Sequence, residues 1–306
     1  MIVAYDLGYY PITFDFVYWL LRIEEARQKQ GEDTLHIVFQ PGDHEGFRGK
    51  TMRDFQFTSE RKTWRLYNLL VPLAYRLQSV SAVTVSPERL NVYTPHFNPF
   101  KDAHRSPLTP FRASGTARDI VNSLYPDPYV TITVRDSDIQ QERNTDQLQW
   151  SMAANWLHHH GKKVVVVPDT EAMLKNNHQR VWDTECQPAA MNPDIRLALY
   201  ELADFNCFTS GGPMTLAQFS GCRYVTFGLR TDGIQTCEPE YLEFIGLPDG
   251  ATRGDYRESY WRAFTYMHDV DILERFLKIE SNRDVRPVFD AQTHYRGHLI
   301  QPVAHG

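Results

Sequence analysis

The sequence has 306 residues, more than the roughly 100 to 150 of a typical single domain, so we expect two domains. Hydrophobic residues make up 42% and charged residues 23%, which excludes disordered, collagen-like and coiled-coil chains. The formal charge of -6 is not accompanied by a basic stripe, so the sequence predicts no basic nucleic-acid-binding surface.

The sequence predicts a cytoplasmic protein without a transmembrane segment. No apolar run approaches the roughly 20 residues needed to cross a bilayer, and Asp6 and Asp15 interrupt the apolar core that a signal peptide needs. The four cysteines have no CxxC spacing and are too few for a disulfide scaffold, so we expect reduced and mostly buried thiols.

The N-terminal part of the chain predicts alternating strands and helices. Apolar residues at positions 14, 17, 18 and 21 indicate a helix with one apolar stripe, which Gly31 is expected to end. This helix lies between predicted strands at 2–5 and 35–39. A second helix is predicted from Thr58 to Leu77, with a kink at Pro72, before a strand at 82–85.

Four prolines between residues 95 and 110 indicate an irregular connector, so we expect domains at 1–110 and 111–306. The alternation then resumes. The predicted helices are 116–124, 146–160, 192–203, 214–220 and 258–278, and the predicted strands are 129–134, 163–168, 205–209 and 223–227. This order predicts an α/β fold of two doubly wound parallel sheets, whose carboxyl strand edges face a shared cleft.

The turn after the predicted strand 205–209 is the most informative segment. Its residues are Ser210, Gly211, Gly212, Pro213, Met214 and Thr215. Glycines let a ligand approach the backbone closely, and a helix that starts there presents free amide groups and a partial positive charge to a diphosphate. The alternative is a tight strand-to-helix turn without a ligand.

Residues 212–217, followed by Gly221 and residues 224–228, resemble the signature of the ADP-heptose lipopolysaccharide heptosyltransferases and related GT-B enzymes. The resemblance covers roughly residues 129 to 235. It implies two Rossmann-like domains and a turn that holds the diphosphate of a nucleotide sugar. Gly211 and Thr215 stand where that family usually has serine and histidine.

Two arginines follow the predicted strand 129–134, and both are candidates for binding the donor diphosphate. Arg135 is similar to the strand-end arginine of fucosyltransferases, and Arg143 resembles the basic residue that follows the equivalent strand in heptosyltransferases. The alternative is a surface arginine paired with Asp136 or Asp138. These two aspartates also form an Asp-x-Asp pattern that binds metals in the other large glycosyltransferase fold, but we expect no metal.

The acceptor hydroxyl needs a general base, which GT-B enzymes that invert the anomeric centre usually supply from the N-terminal domain. Asp6, Asp43 and His44, with the neighbouring Glu45, are the candidates, because they lie at the ends of predicted strands of that domain. The alternative for each of them is a solvated turn residue. Asp15 is interpreted as a possible helix cap. Asp169 and Glu238 are candidates for contacts with the donor nucleoside.

The sequence thus predicts an inverting, metal-independent glycosyltransferase without a cofactor. It would move a sugar from a nucleotide-sugar donor to an acceptor hydroxyl. The acceptor is left open among a glycan, a lipid, a protein and a modified nucleotide. The alternatives are a nucleotide-sugar epimerase or hydrolase of the same fold, or an inactive nucleotide-sugar-binding module.

Overall fold

The computed structural model describes residues 1–41, 58–174, 182 and 184–278. These residues build two parallel sheets, one in each predicted domain. The division at residues 1–110 and 111–306 remains a proposal, because one buried apolar cluster extends from the first sheet through the connector into the second.

The N-terminal sheet has three parallel strands in the order β1 (Ile2–Asp6), β2 (Leu35–Gln40) and β3 (Val80–Val85). Helix α1 (Phe16–Gln30) connects the first two strands and buries its apolar side. It ends at Gly31, whose positive φ of 69° favours glycine, as predicted.

The second predicted helix consists of three consecutive segments: α2 (Ser59–Arg65), a π-helical turn (Leu66–Leu70) and α3 (Val71–Ala74). The wide turn ends two residues before Pro72, which has no amide hydrogen to donate to the preceding turn. The helix continues past Pro72 and ends at Ala74, earlier than the predicted Leu77.

The C-terminal sheet has six strands: β4 (Tyr129–Thr133), β5 (Lys163–Val167), β6 (Asn206–Thr209), β7 (Tyr224–Phe227), β8 (Ala251–Thr252) and β9 (Arg257–Ser259). Their order is β5-β4-β6-β7-β9-β8, and all neighbours are parallel except β8 and β9. The direction of strand addition reverses between β4 and β6. In open α/β sheets, ligands bind at the carboxyl ends of the strands at such a reversal.

Eight further helices accompany this sheet in the described part of the chain. They are α4 (Gly115–Leu124), α5 (Gln147–His159), α6 (Thr170–Met173), α7 (Gln187–Met191), α8 (Pro193–Leu202), α9 (Met214–Gln218), α10 (Pro239–Ile245) and α11 (Tyr266–Leu277). The predicted cap at Asn192 is confirmed, because its side chain accepts hydrogen bonds from the amides of Asp194 and Ile195.

The predicted helix 258–278 is wrong in its first third. Glu258 lies in strand β9, which pairs with β7, and the amide of Tyr260 donates to the carbonyl of Thr226. The helix begins only at Tyr266, because the buried Asp269 carboxylate accepts the Thr265 amide at 2.8 Å and fixes that start.

The four cysteines are buried and form no disulfide, as predicted. Among the described residues, no helix combines the length and the hydrophobicity that crossing a bilayer requires.

Candidate functional site

A cleft of about 960 Å³ lies at the carboxyl ends of the C-terminal strands. Its volume is at the upper end of the range for small-molecule sites. Residues of the N-terminal half line the opposite wall: Thr13, Phe14, Asp15, Tyr18, Arg65 and Phe100. The cleft therefore lies between the two halves and against the strand-order reversal.

The turn 210–215 forms the centre of the cleft wall, and all six of its residues line the cleft. The amide groups of Gly211 and Gly212 donate to no acceptor in the described residues. The Thr215 hydroxyl is already used, because it donates to the Gly212 carbonyl at 2.7 Å. The turn thus offers two free amides in adjacent positions.

The helix after this turn is shorter than predicted. Helix α9 has five residues and does not reach Ser220, because Gly221, with a φ of 82°, turns the chain into β7. A macrodipole requires several aligned turns, so the expected dipole contribution is small. The glycine amides and the nearby arginines are the stronger donors.

Packing between the two halves requires a glycine at position 212. A Cβ atom on Gly212 would lie 2.7 Å from the Cβ atom of Phe14, which is closer than such atoms approach in proteins. Gly211 is more open, since an added Cβ would meet nothing closer than 3.7 Å. Neither glycine has a positive φ. What approaches Gly212 in this structure is therefore the Phe14 side chain.

Arg143 reaches the turn from the loop after β4. One terminal nitrogen donates to the Ser210 hydroxyl at 3.2 Å, and the other to Gln140 at 2.8 Å. Its Nε atom is buried and has no partner in the described residues. A buried guanidinium nitrogen without an acceptor is costly, and Arg143 also lines the cleft, so its positive charge faces that space.

Arg135 is more fully engaged than Arg143. Its guanidinium donates to the Asn144 side chain at 2.5 Å and to the Ile139 carbonyl at 2.6 Å. Burial, and then the nearby Arg143 charge, lower the Arg135 pKa. Arg135 thus holds the loop that carries Arg143 and adds its positive charge to the cleft wall.

The Asp-x-Asp pattern does not contribute to the cleft. Asp136 and Asp138 are exposed and are absent from the cleft wall, whereas Ser137 between them lines it. The described residues contain no group of three metal-ligating side chains. The two aspartates therefore give no support to the metal-binding interpretation.

Two acidic residues line the cleft next to the end of β5. Asp169 accepts the Glu171 amide at 2.7 Å, and burial raises its pKa even though Arg196 and Arg135 lie near it and act in the opposite direction. Glu171 forms ion pairs with Arg61 at 3.3 Å and with Arg65, both on α2 of the other half.

Glu238 supports a loop of the cleft wall without lining the cleft itself. Its carboxylate accepts the Gly233 amide at 2.8 Å, and Glu238 itself does not line the cleft. The loop that this hydrogen bond closes, residues 233–237, does line it. A direct contact between Glu238 and a nucleoside has no support in this geometry.

Asp6 lies at the end of β1, as predicted, but outside the cleft wall. It is 3% exposed, and its two oxygens accept the Gly8 amide at 2.8 Å and the His96 ring nitrogen at 3.0 Å. The other candidate bases, Asp43, His44 and Glu45, lie outside the described residues.

Asp15 lines the cleft instead, at the start of α1. Its side chain makes no capping hydrogen bond, so the interpretation as a helix cap is wrong. Among the described residues that line the cleft, Asp15 is the one carboxylate from the N-terminal half. A sequence signal for Asp15 does exist, namely an acidic residue at the end of a long loop after a strand. No sequence signal identifies Phe14.

No protein-family model matches the chain, and no curated protein is similar to it in sequence. Solved structures do match. ADP-heptose LPS heptosyltransferase II of E. coli is 9% identical, with a TM-score of 0.52, over 90% of this chain and 97% of that one.

Two further structures match with lower TM-scores. A glycosyl transferase of family 9 from Veillonella parvula DSM 2008 is 10% identical over 92% of this chain and 90% of that one, with a TM-score of 0.47. The glycosyltransferase TibC from enterotoxigenic E. coli H10407 is 13% identical over 90% and 78%, with a TM-score of 0.49.

The likeness to heptosyltransferase II shows the fold. Together with the two parallel sheets and the cleft between them, it defines an α/β protein of the GT-B architecture with two Rossmann-like domains. The predicted fold class is confirmed.

Proposed function

We propose that this protein is a glycosyltransferase that moves a sugar from a nucleotide-sugar donor to an acceptor hydroxyl. The observation that carries the proposal is the group of free donors at the strand-order reversal: the buried Nε atom of Arg143 and the amides of Gly211 and Gly212. Such donors suit the oxygens of a diphosphate, since charge-assisted hydrogen bonds are among the stronger ones in proteins.

The same group of donors supports the chemistry. When the bond between the anomeric carbon and the diphosphate breaks, its electron pair remains on the diphosphate oxygen. Arg143, with the charge of Arg135 behind it, would stabilise that negative charge in the transition state. This arrangement supplies the charge compensation that a metal supplies elsewhere, so we propose a metal-independent reaction.

Asp15 is the proposed general base. It lines the cleft and belongs to the half that would present the acceptor. It would take the proton from the acceptor hydroxyl while the hydroxyl oxygen attacks the anomeric carbon from the side opposite the diphosphate. Direct displacement of this kind inverts the anomeric centre. Asp43 and His44 remain alternatives.

Thermal unfolding in the presence of ADP, GDP, UDP and CDP and of their sugars tests the proposal. A ligand at about 100 times its Kd stabilises the folded protein by roughly 2.7 kcal/mol, a visible shift. Arg143→Ala should lose most of this shift, since a hydrogen bond to a charged group contributes about 1.5 to 3 kcal/mol. Arg230→Ala removes an exposed arginine outside the cleft wall and is the matched control. The absence of a shift with every nucleotide would refute the proposal.

The base is tested with the donor that this panel identifies. Asp15→Asn should reduce the rate of sugar transfer to acceptors by about 10² to 10⁴, the usual contribution of a general base, while donor binding stays unchanged. Asp6→Asn should have a much smaller effect on the rate, because Asp6 does not line the cleft. If Asp6→Asn lost the activity and Asp15→Asn kept it, the assignment would be wrong.

A further inference from the structure

Phe14 belongs to the N-terminal half but packs against the turn of the C-terminal half. It lines the cleft, is 8% exposed, and occupies the space where residue 212 would carry a side chain. Three of its side-chain atoms lie within 2.7 to 3.1 Å of that position. The ring therefore packs against the side of Gly212 on which a Cβ atom would lie.

A second contact holds the same ring from the C-terminal half. The Arg196 guanidinium lies 5.6 Å from the centre of the Phe14 ring, within the range of a cation–π interaction. Arg196 is itself fixed, because it donates to the carbonyls of Ala189 and Ala190 and to the Thr170 hydroxyl. Phe14 is thus held between two rigid groups of the other half.

Phe14 precedes Asp15, the proposed base, so its packing bears on which nucleophile Asp15 can activate. Asp15, the next residue in the chain, lines the same wall of the cleft. A water molecule at the place of the acceptor hydroxyl would react in the same way. Its oxygen would bond to the anomeric carbon, the diphosphate would leave with the bonding electrons, and Asp15 would take the proton. The result would be hydrolysis of the donor.

We infer that Phe14 determines the ratio of transfer to hydrolysis by keeping water away from the diphosphate turn. This inference rests on the proposed function. An apolar ring beside the turn offers no hydrogen bond to water, so it would disfavour a water molecule next to a bound donor relative to a hydroxyl group that an acceptor presents. Phe14 is a specificity-determining residue in this sense and takes no part in proton transfer.

The experiment uses the full chain and the nucleotide sugar that gives the largest thermal stabilisation. Release of free sugar and nucleoside diphosphate is measured without an acceptor for the wild type, Phe14→Ala and Phe14→Leu. We expect Phe14→Ala to hydrolyse the donor about tenfold faster than the wild type. The Kd of Phe14→Ala for the donor should stay within about threefold of the wild-type value. Phe14→Leu, which keeps most of the apolar volume, should show a smaller increase.

Phe97→Ala is the matched control. Phe97 is an aromatic residue of the N-terminal half that packs on Tyr10 with ring centres 6.2 Å apart, outside the cleft wall. It should lose stability without faster hydrolysis. If Phe14→Ala does not fold, an increase with Phe14→Leu still supports the inference.

Two results would overturn the inference, and they are distinguishable. If the Phe14 variants bind the donor but hydrolyse it no faster than the wild type, Phe14 does not exclude water. If the wild type binds no nucleotide sugar, the proposed function fails and the inference fails with it.

Discussion

Asp169 is a carboxylate whose ionisation costs folding free energy. Burial raises its pKa above the usual value of about 3.9, although Glu171 donates an amide to it and Arg196 lies nearby. Between the unfolded and the folded pKa the native state binds more protons, so this group's contribution to stability falls as the pH rises through that window. A buried carboxylate with a raised pKa in a cleft is typical of a functional site.

We therefore expect Asp169→Asn to be more stable than the wild type at pH 7, because asparagine has no charge to bury. Asparagine caps a helix about as well as aspartate, so the hydrogen bond to the Glu171 amide is kept. Denaturant unfolding between pH 3 and pH 8 measures the difference. It should disappear below the unfolded pKa and grow above it, and a constant difference across this range would contradict the explanation.

The site could be predicted from sequence only in part. Arg143 and Ser210 follow recognisable strands, and the structure brings them within hydrogen-bonding distance. Asp6 follows a strand as well, but its partners Gly8 and His96 turn it away from the cleft. Phe14 could not be identified, because its role depends on a contact with a glycine far away in the chain.

At the scale of elements, the two glycines of the turn 210–215 should respond differently to substitution by alanine. Gly212→Ala should destabilise the protein by about 1 to 3 kcal/mol, the usual cost of overpacking, because its Cβ atom would collide with Phe14. Gly211→Ala should keep or slightly raise the melting temperature, since the added methyl group meets no close neighbour. Thermal unfolding of both variants checks this, and equal effects would exclude the Phe14 contact as the cause.

Elements with strong local signals were predicted well. Strand β4 is a fully buried run rich in β-branched residues, and α8 begins at a capping asparagine followed by proline. The segment before α11 failed because its helical pattern of apolar residues competes with sheet pairing to β7. Pairing across the chain outweighs local propensity there, and no local pattern reveals it.

At the scale of the whole molecule, Glu171 is one of the acidic side chains that connect the two halves, and it does so at the cleft. Glu171 pairs with Arg61 and Arg65 of α2, and these side chains are between 9% and 30% exposed. Two positive charges on one carboxylate are worth more than an exposed pair, which contributes about 0 to 1 kcal/mol. This contact should bias the cleft toward the closed arrangement of the structure.

Glu171→Gln should therefore weaken closure and increase the radius of gyration measured by X-ray scattering. The wild type should approach the variant as the salt concentration rises toward 1 M, where the Debye length falls to about 3 Å. Glu240→Gln, at an exposed position of α10 without an ion pair among the described residues, is the control. Identical scattering of the wild type and Glu171→Gln would show that the ion pairs do not hold the halves together.

The contact between Phe14 and Gly212 has a consequence for the history of the sequence. The atom that a side chain at 212 would meet first is the Cβ atom of residue 14, which every amino acid except glycine carries. In an alignment of homologues, position 212 should therefore remain glycine even where the residue at 14 changes. A side chain at 212 would first require glycine at 14.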